Sequence, residues 1–311
     1  MSSEATAATA APEPATPGKK PMSNLAQRLL FGTLGAVLLL GCVWYGAWTF
    51  AGLFAVIQAI MLREFYRMMR VGGNRPAGAM GIVVSVLLFA GAYFMFSKEN
   101  SYLDQTSVLL GPSLIELLLP VLWFLVLALI TLSFLLREMV VWPNNGQPFA
   151  NLGSALAGLL YVSLPMSLLC EVAFVHGVYD YRRVVALFFL VWTSDTGAYA
   201  AGKLFGRHKL APSISPGKTW EGAVGGFLLT LGMGWALGML LPDLSLTYRL
   251  VAAAVVAVFG PLGDLAESML KRSVGIKDSG RIMPGHGGLL DRFDAFLFIL
   301  PVLALLQLLV G

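Results

Sequence analysis

The sequence predicts an all-α, polytopic membrane protein of about nine transmembrane helices, and three observations point to it. Of 311 residues, 57% are hydrophobic and only 12% are charged, with a mean hydropathy of +0.77. A soluble domain carries roughly 25% charged residues, so this chain lacks the polar surface to cover a water-facing globule. Apolar stretches long enough to span a bilayer recur from end to end. Nine spans of about 20 residues leave about 130 residues for tails and loops, which excludes a large soluble domain. Any chemistry must sit in short loops and at span ends.

Residues 1–24 are rich in Ala, Thr, Pro and Ser. They cannot bury a core and are expected to form a disordered tail. The apolar run after Arg28 is too long for a signal peptide and shows no cleavage site, so it is expected to remain as the first span. Apolar stretches follow at 29–46, 47–65, 79–96, 113–136, 153–171, 182–201, 222–241, 247–270 and 292–310. Trp44, Tyr45, Gly46 and Trp48 separate the first two as an interfacial aromatic belt at a tight turn. The organisation expected is a tail (1–24), N-terminal transmembrane helices (25–180), and a C-terminal transmembrane region (181–311) that carries the chemistry. Cys42 and Cys170 lie far apart in apolar runs. They fit small core residues better than a disulfide or a thiolate metal site.

Basic residues test this count. Nine spans with a cytoplasmic N-terminus place seventeen of the 21 Lys and Arg in inner segments, leaving Lys98, Arg182, Arg183 and Arg249 outside. The positive-inside rule supports that topology. Charge is also concentrated late in the chain. Windows 194–221 and 264–294, both inner, hold sixteen of the 21 basic and 17 acidic residues. There is no internal repeat and no paired set of interrupted spans of the kind seen in inverted-repeat transporters.

The first window contains Asp195 after a dozen mostly apolar residues. A carboxylate at membrane depth is costly unless it meets a cation, a metal or a water-filled cavity. Gly197, Ala198, Ala201 and Gly202 nearby would let another helix or a ligand approach closely. Ser215, Pro216, Gly217, Lys218 and Thr219 then open the seventh span. A phosphate-binding P-loop would need glycine where Pro212 stands, so this is not one. The segment reads as a helix start with Ser215 as cap and Pro216 at the first helical position, where free N–H groups and Lys218 would favour phosphate.

The second window is richer. Asp264, Ser268 and Lys271 share one helix face at spacings i, i+4 and i+7. A glycine-rich loop follows with Lys277, Asp278, Arg281 and His286, and then Asp291, Arg292 and Asp294 open the ninth span. Paired carboxylates facing Lys and Arg beside glycine-rich backbone suit magnesium nucleotide chemistry, with hard oxygens on the ion and basic groups on phosphate. With three histidines in the chain, a His-rich zinc site does not fit.

At these residues the sequence closely resembles the phosphatidate cytidylyltransferases, also called CDP-diacylglycerol synthases. Ser268, Lys271, Arg272, Lys277, Asp278, His286, Gly287, Gly288, Asp291, Arg292 and Asp294 match the family signature in order and spacing. Upstream, Asp195, Ala198 and Tyr199 match a second stretch. Ser215, Pro216, Lys218, Thr219, Glu221 and Gly222 match a third, with Gly217 where a second lysine is often seen. The resemblance covers residues 190–300; the N-terminal spans match only in being apolar and in number.

The resemblance implies that CTP and phosphatidate are converted to CDP-diacylglycerol and pyrophosphate by a magnesium-dependent homodimer in which a monovalent, potassium-like cation is a second ion. It implies a bacterial inner (plasma) membrane location, with N-terminus and active site cytoplasmic, and no nucleic-acid partner. By motif position, Asp264, Lys271 and Asp291 are the catalytic candidates. Asp264 and Asp291 are the metal-ligand candidates, joined by Asp195 and Asp294. Ser215, Lys218, Thr219, Glu221, Ser268, Arg272, Lys277, His286 and Arg292 are candidates for binding CTP or phosphatidate. Two other readings use the same devices: a CTP-dependent polyprenol kinase, or a cytidylyltransferase for another lipid phosphate. A third, an ion transporter, would use Asp195 and Asp264 for passage.

Overall fold

The computed structural model describes residues 24–97, 112–143, 146–280, 282 and 287–310. Residues 1–23, in which the disordered tail is expected, and His286 lie outside the described residues. Nine helices run through the described residues. They are α1 (Asn24–Tyr45), α2 (Ala47–Val71), α3 (Gly78–Ser97), α4 (Pro112–Val141), α5 (Pro148–Ala173), α6 (Tyr181–Phe205), α7 (Trp220–Ala236), α8 (Leu246–Ser273) and α9 (Leu290–Val310). Eight are long and apolar enough to cross a membrane, and α1 adds an apolar stretch at Gly32–Tyr45. The all-α polytopic expectation is met.

The first two spans are separate helices. Only Gly46 lies between them, and Thr49 stitches the turn by donating its hydroxyl to Cys42 O (2.7 Å) and Gly46 O (2.9 Å). Trp48 leaves that turn to pack on Tyr93 of α3, with ring centroids 5.1 Å apart. Helix α5 carries a π-helical turn at Leu159–Ser163. Both cysteines are free, and Cys170 is buried.

Loops alternate between two ends of the bundle. At one end, Arg75 N–H donates to Asn151 Oδ1 (2.6 Å), tying the α2–α3 turn to the start of α5. A Cβ on Gly72 of that turn would lie 3.0 Å from Val274, just after α8. At the other end, Tyr179 donates to Val43 O (2.7 Å), and Arg182 and Arg183 reach Asp243.

Two short hairpins decorate the ends. Strands β1 (Phe174–Val175) and β2 (Val178–Tyr179) join through His176 and Gly177, both at positive φ as a two-residue hairpin turn demands. Strands β3 (Lys209–Ala211) and β4 (Ser215–Thr219) pair antiparallel. This corrects the expected helix start at Ser215: pairing keeps Ser215–Thr219 extended. Thr219 is the cap of α7 instead, its hydroxyl accepting from Gly222 N–H (3.1 Å).

Lipid is as apolar as leucine, so these helices are held by close packing and polar contacts rather than by exclusion from water. Phe54 of α2, Phe188 of α6, and Phe293 and Phe296 of α9 form one buried aromatic cluster with centroids 5.0–6.3 Å apart. Helix α2 is therefore central, not a peripheral anchor. Helices α6 and α7 meet through small residues: a side chain on Gly222 or Gly226 would collide with the backbone of α6. Gly197, Ala198 and Gly202 thus serve the close helix approach expected of them.

Candidate active site at one end of the bundle

Helix α8 can lie against α9 because residue 263 is glycine; a Cβ there would run into the carbonyl of Asp294. This close crossing brings the last turns of α8, with Asp264, Glu267, Ser268 and Lys271, beside the first turns of α9, with Asp291 and Asp294. Ser268 Oγ donates to Asp264 Oδ1 (3.2 Å), as expected for residues sharing one face. Strand β4 reaches in from the side. Its Lys218 Nζ lies 2.7 Å from Asp264 Oδ2 and donates to Pro261 O at 2.9 Å. An extended strand, not a helix start, aims this lysine at α8.

Lys271 is buried between two acids. Its ammonium touches Glu267 and lies 2.7 Å from Asp291 Oδ1. Asp291 is held further by the N–H groups of Gly288 (2.7 Å) and Ser279 (3.1 Å to Oδ2). Its oxygens are thus already engaged by backbone and ammonium donors.

Carboxylate oxygens of Asp264, Glu267 and Asp294 lie within 4.8 Å of one another. Glu267 is fully buried, and its Oε1 has no hydrogen-bond partner among the described residues. Three hard oxygen donors, one of them otherwise orphaned, fit a cation such as magnesium. Asp195 is exposed on α6, within electrostatic range of Asp264, Lys218 and Arg292.

The remaining candidates are more dispersed. Arg272 and Lys277 are exposed, and Arg272 donates to Ile276 O (3.3 Å). Arg292 is exposed at the start of α9, and Ser215 is half-buried on β4. Glu221 is engaged by the N–H groups of Arg207 (3.0 Å) and His208 (3.2 Å) and by the His208 ring (2.6 Å), so it ties the hairpin to α7.

Three polar side chains near the site were not among the sequence candidates. Glu267 lies one turn beyond Asp264, so helical spacing could have found it. Glu64 is a buried acid within a span, whose cost in lipid is itself a signal. Tyr161, on the π-helical turn of α5, has a buried hydroxyl without a partner among the described residues, within electrostatic range of Glu267, Asp294 and Asp264. Nothing in the sequence pattern marks it.

Charged groups gathered at one end of an apolar helical bundle define the class: a polytopic membrane protein whose polar site is built from helix ends. A family profile described as "Cytidylyltransferase family" matches residues 26–310. A phosphatidate cytidylyltransferase of Bacillus subtilis is 33% identical over 284 residues, spanning 91% of this chain and 97% of its own length. One from Staphylococcus saprophyticus is 42% identical over 180 residues, 58% of this chain and 68% of its own. Its counterpart in Staphylococcus aureus (strain COL) is 40% identical over 180 residues, with the same coverage. The chain belongs to the cytidylyltransferase family, and it is a nucleotidyltransferase enzyme of the membrane.

Proposed function

We propose that this protein is a phosphatidate cytidylyltransferase, converting CTP and phosphatidate to CDP-diacylglycerol and pyrophosphate. The observation that carries the reading is the contact of Lys271 on α8 with Asp291 on α9, beside the carboxylates of Asp264, Glu267 and Asp294. The near full-length match to the Bacillus subtilis enzyme of that name supports it.

The chemistry follows from charge. A phosphate oxygen of phosphatidate attacks the α-phosphorus of CTP; that P–O bond forms as the bond to the bridging oxygen of the β-phosphate breaks, and pyrophosphate leaves. A phosphate monoester is mostly ionised near pH 7, its second pKa being about 6, so no general base is required. What is required is two anions held in line with their charge neutralised. Lys218 and Lys271, anchored on carboxylates, supply fixed ammonium groups at the centre. Exposed Arg272, Lys277 and Arg292 supply cations at the rim for CTP or the lipid headgroup, and Ser215, Ser268 and His286 add polar donors. Thr219 and Glu221 shape the β4–α7 corner that presents Lys218.

Magnesium would be held by Asp264 with Glu267 and Asp294, next to Asp291, and would supply charge neutralisation at phosphate oxygens. Asp195 is the candidate for a monovalent cation. A homodimer and a cytoplasmic site belong to the same proposal; the seventeen-to-four split of basic residues supports the orientation.

The test is an assay of purified protein in detergent with phosphatidate, magnesium and CTP labelled at either the α- or the γ-phosphate. Label from the α-position alone should appear in lipid. Transfer of γ-label would identify a lipid kinase, and no transfer from either position would remove the reading.

A further inference from the structure

We infer that Glu64, in the second span, is a positioning residue that holds the loop between α8 and α9 and, through it, Asp291. The inference rests on the cytidylyltransferase reading for its effect on turnover, but not for its geometry. Glu64 lies two turns before the end of α2, in the half of the chain without motifs, and is 4% exposed. Its Oε2 accepts from Leu290 N–H at 2.8 Å and lies 3.4 Å from Ser279 Oγ. Leu290 opens α9, and its N–H is one of the donors a helix start leaves without an intrahelical partner. A carboxylate there also meets the positive end of the helix dipole.

At Ser279 and Gly288 the backbone passes between two acids. Ser279 and Gly288 give their N–H groups to Asp291 on one side. On the other, Ser279 turns its hydroxyl to Glu64, and a Cβ on Gly288 would collide with the Glu64 carboxylate. A Cβ on Gly280 would collide with the same carboxylate. A side chain at either loop position would have to displace the acid from α2, which packs the backbone against Asp291. Asp291 in turn holds Lys271. Glu64 acts through this chain of contacts and not on substrate.

The experiment compares Glu64→Ala and Glu64→Gln with wild type, reading kcat, KM for both substrates, and amide hydrogen exchange across 279–290. Loss of such a supporting contact typically costs about 10- to 100-fold in activity, so Glu64→Ala should lose that much kcat. Its KM values should stay within about twofold, since the lost interaction matters only at the transition state. Exchange at Leu290 should accelerate. Glu64→Gln keeps one oxygen for Leu290 N–H and should recover most of both. Wild-type kcat in Glu64→Ala, lost kcat with unchanged exchange, or Glu64→Gln as impaired as Ala would each overturn the inference. Should Glu64→Ala not fold, Glu64→Asp takes its place in the same comparison, because it withdraws the oxygens by one methylene. If wild type makes no CDP-lipid, the reaction reading fails, while exchange alone still decides whether Glu64 holds the loop.

Discussion

Lys271 Nζ lies 2.7 Å from Asp291 Oδ1, joining the last turn of α8 to the first turn of α9 across 20 residues of sequence. This one ion pair closes the site. Without Asp291 two backbone N–H groups lose their acceptor, and without Lys271 the buried carboxylate of Glu267 loses its counter-charge.

Asp291→Ala should lower turnover steeply while the protein remains folded. It frees the ammonium of Lys271 on one side and leaves the N–H groups of Ser279 and Gly288 without their acceptor. Removing one preorganised electrostatic group of this kind typically costs about 100- to 1,000-fold in kcat. CDP-lipid formation in detergent measures it, with size-exclusion behaviour as the fold control; turnover near wild type would remove Asp291 from the site.

Lys271→Met should destabilise more than it simplifies. Glu267 is fully buried and salt-bridged to this ammonium, with the acids Asp264 and Asp294 beside it, so the variant strands a carboxylate in the bundle. Breaking a buried pair by deleting one partner costs about 3–5 kcal/mol. Thermal or denaturant unfolding in detergent should show the loss, and Glu267→Gln in the same chain should restore part of it.

Gly263→Ala should separate α8 from α9. The added methyl meets the carbonyl of Asp294, a backbone atom that cannot step aside. Overpacking of this kind costs about 1–3 kcal/mol. Here it should also lower activity, because Asp264 and Asp294 part with the helices. Wild-type stability and rate together would contradict the close crossing.

Chelation of divalent cations should stop turnover, and magnesium should restore it. Asp264→Asn and Asp294→Asn should each raise the magnesium concentration needed for half-maximal rate, since fewer hard oxygens remain for the ion. An unshifted magnesium titration in both variants would place the ion elsewhere.

A single reporter cysteine tests the orientation. Lys277 is exposed on the α8–α9 loop, so Lys277→Cys in a background lacking Cys42 and Cys170 should react readily once the membrane is permeabilised. It should resist an impermeant reagent applied from outside intact cells. Ready labelling from outside would invert the topology.

Helix number and placement were legible because lipid imposes a simple rule: about 20 apolar residues, then charge. Even the break at Gly46 could be read from its aromatic neighbours. The motif residues on α8 and α9 were legible too, since Asp264, Ser268 and Lys271 repeat with the helix. The route by which Lys218 arrives was not, because a five-residue strand of Ser, Pro, Gly, Lys and Thr has the composition of a helix cap and is made extended by its partner at Lys209–Ala211. Glu64 and Tyr161 escaped for a different reason. Tertiary packing alone brings Glu64 onto Leu290 and Tyr161 near the acids of α8 and α9, and no local period connects residue 64 with residue 290.

The central place of α2 also bears on how small this enzyme could become. Every sequence motif falls after residue 190, which invites a minimal version made of the C-terminal helices alone. Such a fragment would lose the aromatic partner that Phe188 and Phe293 share in Phe54 and the acceptor that Leu290 finds in Glu64. The motifs are not portable: they travel only with the featureless spans in front of them.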